Sequence, residues 1–177
     1  MTTTHIERNE ALPWRQAAWF AVKFCAFFLA MEYAYFAIPD DFLRDTLYFH
    51  VLVAPCVAVI NFLNPAEQVL ANHSLMTSAK ASLEIVRGCD GAGTIFLLMA
   101  AVLAFSSPFK TKILGFLVGI FLLMAVNHLR IIGLYFIAAY QNSWFAPIHS
   151  YVAPTLIIMI GCVFFAVWSQ YALSRHT

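Results

Sequence analysis

Residues 113–140 constrain this chain more than any other feature. They form an almost unbroken apolar run of 28 residues, which as a helix would reach about 42 Å. A hydrocarbon core is about 30 Å thick, so such a helix crosses a bilayer and either tilts or projects into the interface. Four further apolar runs accompany it, at residues 17–38, about 47–63, about 91–105 and about 149–172. The chain is 62% hydrophobic and 11% charged, against roughly 45–50% and about 25% in a soluble domain. The expected fold is therefore an all-α polytopic membrane protein with about five transmembrane helices.

Residues 1–16 read as a polar N-terminal tail and 17–174 as a single transmembrane domain. The tail is mixed in charge and the apolar run behind it is as long as a full span, so no cleavable signal peptide is expected. The net charge of +1 gives no reason to expect a nucleic-acid partner. Three of the four cysteines, Cys25, Cys56 and Cys162, lie inside apolar runs, where cysteine acts as a small hydrophobe. No disulfide or zinc framework is suggested, and no metal or other cofactor is expected.

The one sizeable polar stretch is 64–90. Ala79, Ala81, Leu83 and Ile85 alternate with Ser78, Lys80, Ser82 and Glu84, a period of two that predicts a strand. A short extracytoplasmic hairpin at the membrane surface before the third helix would fit, since an open strand edge cannot sit in hydrocarbon. Flanking Lys and Arg residues do not set the orientation. With the N-terminus outside and five crossings, Arg44, Lys110, Lys112 and Arg175 lie inside, and Arg8, Arg15, Lys80 and Arg87 outside, which is a tie. Relative placement does follow: 64–90 and 141–149 share one side, while the 106–112 turn and the C-terminus share the other.

That placement gathers three reactive residues. Cys89 starts the third helix, within Arg87-Gly88-Cys89-Asp90-Gly91. A cysteine at a helix N-terminus near a cation carries more thiolate, and small neighbours admit a substrate backbone. Asp90 is a plausible N-cap. Arg130 lies deep in the fourth helix, about 26 Å above its start, and an ionisable residue there is a functional candidate by default. Asn127, three residues earlier, shares its face. His128 lies about 200° round the helix and reads as a packing residue. His149 opens the fifth helix behind an aromatic belt that includes Trp144 and Phe145. Together they can do nucleophilic chemistry: imidazole exchanges a proton with the thiol, and guanidinium stabilises an oxyanion. Glu84 and Arg87 either line this site or cap the hairpin. His50 and His73 have no obvious partner; His5 and His176 are in the tails. The residues alone leave three readings open: a peptidase, a transporter lined by Arg130 and Glu32, and a haem- or quinone-binding electron carrier using His50, His128 or His149.

Leu83-Glu-Ile-Val-Arg-Gly-Cys89-Asp-Gly, then Asn127-His-Leu-Arg130-Ile-Ile, then Pro147-Ile-His149-Ser together resemble the exosortase/archaeosortase family over about residues 45–170. The compact length resembles the exosortase H type. The resemblance implies a membrane-embedded cysteine protease or transpeptidase with Cys89, Arg130 and His149 as its site. Asn127, Arg87, Glu84 and Asp90 would support it. Many members carry a serine where this chain has Asp90. Substrates would be exported proteins ending in a sorting tail, cut through a thioester that an amine or water resolves. The implied location is the bacterial inner membrane, with Cys89 on the extracytoplasmic face. If all five segments span, that face puts the N-terminus outside and the C-terminus inside.

Overall fold

The computed structural model describes residues 4–174, with side chains described from Trp14 onward. Five helices carry the fold: α1 (Thr4–Phe36), α2 (Asp40–Leu63), α3 (Ala92–Ala104), α4 (Phe109–Tyr140) and α5 (Asn142–Ser174). All but α3 are long and apolar enough to cross a membrane. The fold is a polytopic helical membrane architecture, as the apolar runs require. Helix α1 begins well inside the stretch read from sequence as a polar tail. The gap between the first two apolar runs is also shorter than those runs suggest, because helical backbone resumes at Asp40.

Four helices form a bundle. Helix α3 packs on α1, α4 and α5, and α4 packs on α5. Side chains in hydrocarbon gain little from mutual burial, so close backbone approach decides the packing. Helix α4 presents Gly115 and Gly119, whose missing Cβ atoms would lie 2.4 Å from Trp168 and 2.7 Å from Leu98. Trp168 fills that space and donates its indole N–H to the Thr111 carbonyl at 3.1 Å. Leu98, Val102, Leu123, Ile157, Trp168 and Ala172 make the bundle core.

A second core lies at the other end of α4. It unites Leu43, Leu52, Cys56 and Ile60 of α2 with Met76, Ile85, Ile131 and Tyr135. Its roof is a three-stranded antiparallel sheet, β1 (Leu70–Asn72), β2 (Leu75–Thr77) and β3 (Ser82–Glu84), in the order β1-β2-β3. The alternation at 78–85 thus yields a strand only over its second part. At 78–81 the Ser78 hydroxyl accepts the N–H groups of Lys80 and Ala81 at 3.1 and 3.2 Å, which turns the chain instead of extending it.

Helix α2 belongs to this cap. Arg87 grips its start, with Nη2 on Asp40 Oδ1 at 2.6 Å. His73, in the β1–β2 turn, pairs with Asp45 at 3.0 Å. Near the far end the Asn61 amide exchanges two 2.9 Å hydrogen bonds with the Val69 backbone. The sheet and its flanks therefore follow α2 from Asp45 to Asn61. Pro55 deprives the Val51 carbonyl of its α-helical donor. Residues Leu43–Val53 are wound as a π-helix, and His128 Nε2 lies 2.8 Å from the Val51 oxygen. His128 is a packing residue in this sense, tying α4 to the carbonyl that Pro55 exposes.

Glu67 fixes the cap to the end of α4. Its buried carboxylate accepts from Lys80 at 2.8 Å, Tyr135 at 2.9 Å, Asn64 at 3.0 Å and Tyr140. Hydrogen bonds from Lys80 and Tyr140 hold the Glu67 carboxyl down to about 2, and Glu67 and Tyr140 in turn raise the Lys80 ammonium. A carboxyl depressed on folding stabilises the fold fully above its unfolded value of about 4.3, and the stabilisation is lost as pH falls toward 2. In detergent, melting temperature should drop between about pH 4.5 and 2. Glu67→Gln should melt lower than wild type at pH 7 and lose most of that acid slope; an unchanged slope would mean that other groups set it.

Candidate active site

Between the two cores lies a polar layer, and it contains most of the residues singled out from sequence. The loop after β3 turns through Gly88 at φ +86° and Gly91 at φ +87°, a region that only glycine enters at little cost. Gly91 is also crowded, since a Cβ there would lie 2.7 Å from the Asn127 side chain. The close approach lets Asn127, 1% exposed, donate from Nδ2 to the Asp90 carbonyl at 2.7 Å. Arg130 Nη1 donates to the Cys89 carbonyl at 3.2 Å and to Asn127 Oδ1 at 3.4 Å. One turn of α4 thus holds two successive carbonyls of the cysteine loop.

The thiol faces α5. Cys89 Sγ lies 3.6 Å from His149 Nε2, within contact for a weakly bonding sulfur. His149 does not open α5, as its sequence position suggests, but sits inside it. Pro154 removes the α-helical donor for the Ser150 carbonyl, and Ile148–Val152 is a π turn of the kind found at functional sites. The imidazole stacks on Phe145, with centroids 5.4 Å apart and planes at 14°. His149 Nδ1 is buried and has no hydrogen-bond partner among the described residues. Stacking on an aromatic ring, not a carboxylate, orients this histidine.

Arg130 is the electrostatic centre. Among the described residues no carboxylate lies within ion-pair distance of it, and its Nε is buried without a partner. Its field favours negative charge developing beside it, on sulfur or on a bound carbonyl oxygen. The backbone N–H of Cys89 is already used, donating to the Val86 carbonyl at 3.0 Å, so it does not serve as an oxyanion donor. Asn127 is spent on Asp90 and Arg130, which makes it a positioning residue instead of a second oxyanion donor.

Two supporting assignments change. Asp90 is not the N-cap of α3; that position is Gly91. The Asp90 carboxylate is buried and accepts from the Tyr35 hydroxyl and, at 3.4 Å, from Ala92 N–H. Tyr35 in turn bonds Tyr48 at 2.6 Å, so the charge that follows the cysteine is held by α1 and α2. Arg87 is not at the thiol either. It donates to the carbonyls of Tyr35 at 2.6 Å and Ile38 at 2.8 Å as well as to Asp40, closing the α1–α2 joint, and Asp40 raises its guanidinium further above the usual range. Glu84 does line the cavity that contains Cys89 and His149, and accepts from Ser74 at 3.4 Å. His128 has both ring nitrogens against backbone carbonyls, those of Met124 at 2.7 Å and Val51 at 2.8 Å, so it offers no free nitrogen to an axial ligand role.

Sequence reasoning missed Phe145 and Tyr35. The i, i+4 spacing of Phe145 and His149 was the signal for the first. Nothing local marks Tyr35, which lies 55 residues before Asp90. No family model, curated protein or solved structure matches the chain.

Gly91→Ala should destabilise the protein by about 1–3 kcal/mol from backbone strain alone, with the Asn127 clash added. Gly133→Ala, where a Cβ meets nothing within 4 Å, should be neutral or slightly stabilising. Melting temperatures of the two variants in one detergent decide this, and equal values would remove the special role given to the Gly91–Asn127 contact.

Proposed function

We propose that the protein is a membrane-embedded cysteine peptidase or transpeptidase that cuts the C-terminal sorting tails of exported proteins. The observation that carries this reading is the 3.6 Å approach of Cys89 Sγ to His149 Nε2 beside an unpaired guanidinium. The sequence resemblance to exosortases, carried by the same three residues, also supports it.

The chemistry follows from these groups. The thiol proton passes to His149 Nε2, and the sulfur attacks the scissile carbonyl carbon. Arg130 stabilises the oxyanion of the tetrahedral intermediate. The imidazolium then gives its proton to the departing amine, leaving a thioester on Cys89. A second amine, or water, loses a proton to His149, attacks the thioester and restores the thiol.

The site belongs on the extracytoplasmic face of a bacterial inner membrane, where exported tails arrive. The orientation that we favour has four crossings, by α1, by α3 with its flanks, by α4 and by α5. Helix α2 lies at the surface beneath the sheet. A return crossing by α2 would carry β1, which runs alongside it, into hydrocarbon, and polar strand edges are not tolerated there. Contacts at both ends of α2 also support this placement. Asp40 meets Arg87, and just past Leu63 the Glu67 carboxylate meets Tyr140. Four crossings put both termini in the cytoplasm, in place of the N-out arrangement expected from five. Arg8, Arg15, Lys110, Lys112 and Arg175 then lie inside against Arg44, Lys80 and Arg87 outside. Those outer three are each paired with a carboxylate, so the positive-inside tie is broken.

Reporter fusions at the two termini should both report the cytoplasm; an exported N-terminus with a cytoplasmic C-terminus would restore the five-crossing arrangement. For the chemistry, exported reporters ending in C-terminal tails from the same genome are co-expressed with the protein and followed by immunoblot at matched membrane levels. Cys89→Ala should abolish processing. Arg130→Ala should slow it about 10²–10³-fold and His149→Ala about 10²–10⁴-fold. Processing that persists in Cys89→Ala would rule out the thiol as nucleophile and favour the transporter reading.

A further inference from the structure

Strand β3 has a free edge, and that edge faces the thiol. In the ladder with β2, Met76 stands opposite Leu83. The flanking bonds, Ile85 N–H to the Ser74 carbonyl and Ser78 N–H to the Ala81 carbonyl, both 2.9 Å, set the phase of the ladder. Hydrogen-bonded pairs alternate along it, so Met76 and Leu83 exchange bonds while the N–H and C=O groups of Ser82 and Glu84 point away from β2. No hydrogen-bond partner for these four groups exists among the described residues, and both residues are exposed. A buried edge would need partners; an open one is a template for another extended chain.

What lies beside the edge is specific. Ser82–Val86 form one wall of a cavity of about 280 Å³ whose other walls include Cys89, Ile131, Leu134, Phe145 and His149. The three residues of β3 and the two that follow it line one wall in succession, so the cavity runs alongside the strand. Its floor is apolar, from Ile131 and Leu134, and Cys89 and His149 also line it.

We infer that the polypeptide substrate docks by strand addition on β3. The occupant is the extended stretch of substrate around the scissile bond. Its backbone pairs with Ser82 and Glu84, donating to their carbonyls and accepting from their N–H groups. Alternate substrate side chains then enter the cavity against Ile131 and Leu134, and the intervening ones face water. Main-chain pairing supplies register and affinity, and the alternate pockets supply selectivity. An added strand also holds the scissile peptide rigid and extended next to the sulfur, which is where catalytic advantage from positioning arises. The inference rests on the peptidase reading.

The test separates the two. In Cys89→Ala, which retains the cavity but cannot cut, Ser82→Cys is combined with reporter tails carrying single cysteines at successive positions, and disulfides are formed in intact membranes. Strand addition predicts cross-links at every second position. Cross-links at every third or fourth position would indicate a docked helix and overturn the inference. So would a Ser82→Cys disulfide between two copies, which would make the edge a self-interface. Cleavage of the same tails by wild type without any cross-link would overturn strand addition and leave the peptidase reading intact. Absence of cleavage of every tail by wild type would remove both. As a second measurement, Glu84→Pro deletes one outward N–H at an edge position that tolerates proline. It should slow processing about tenfold, the effect of one lost hydrogen bond, with Cys89 alkylation by a maleimide at the wild-type rate. Unchanged processing with unchanged alkylation would exclude a role for that N–H.

Discussion

A guanidinium with no carboxylate within ion-pair distance among the described residues must be solvated by fixed dipoles, and Arg130 obtains them from the loop that carries Cys89. Nη1 rests on the Cys89 carbonyl and on Asn127, and Asn127 holds the next carbonyl along. Removing a cation from water costs several kcal/mol even after relaxation, so the loop is held against α4 by the charge as much as by packing. Two glycines with positive φ admit that geometry, and Tyr35 restrains the carboxylate next to the cysteine. The position of the Cys89 thiol is thus a by-product of solvating one half-buried charge.

The prolines act in the same spirit. Pro55 and Pro154 each deprive one helical carbonyl of its donor, and each lies just past the end of a π-wound stretch. At Pro55 the freed Val51 carbonyl receives a ring nitrogen from α4; at Pro154 the widened turn presents His149 toward sulfur. Backbone satisfaction in a dry interior therefore shapes both the cap and the site. The electrostatic ties that hold the cap are concentrated on Glu67, which is buried but paired with the half-exposed Lys80, and on Arg87, whose partner Asp40 is exposed.

The parts of this architecture legible in sequence are those that depend on local pattern. Apolar runs marked the helices, and the convergence of Cys89, Arg130 and His149 followed from helix length and from which connections share a side. That a sheet lies along α2 was not legible, because hydropathy reports only how apolar a segment is. The true role of Arg87 was hidden for a related reason: its partners, Asp40 and two carbonyls, are supplied by a joint about 50 residues away. Only part of the two-residue alternation became strand, since the Ser78 hydroxyl competes for the backbone. Tyr35 and Asp90 meet through tertiary structure alone. Phe145 was visible as an aromatic at an interface, but its stacking on His149 needed the helix to continue through Pro147.

The polar layer also has a height. From Lys112, at the cytoplasmic turn of the proposed orientation, to Arg130 is about 27 Å of helix, close to the thickness of the hydrocarbon. Cys89 is pinned at the upper end of that span. On the proposed reading, with a membrane-anchored substrate, the bilayer becomes a ruler: distance from the anchor's point of emergence sets which bonds can reach the sulfur. Selectivity on that reading has a metric part beside the chemical one: tails whose cleavable bond emerges at another height would be passed over even when their side chains fit.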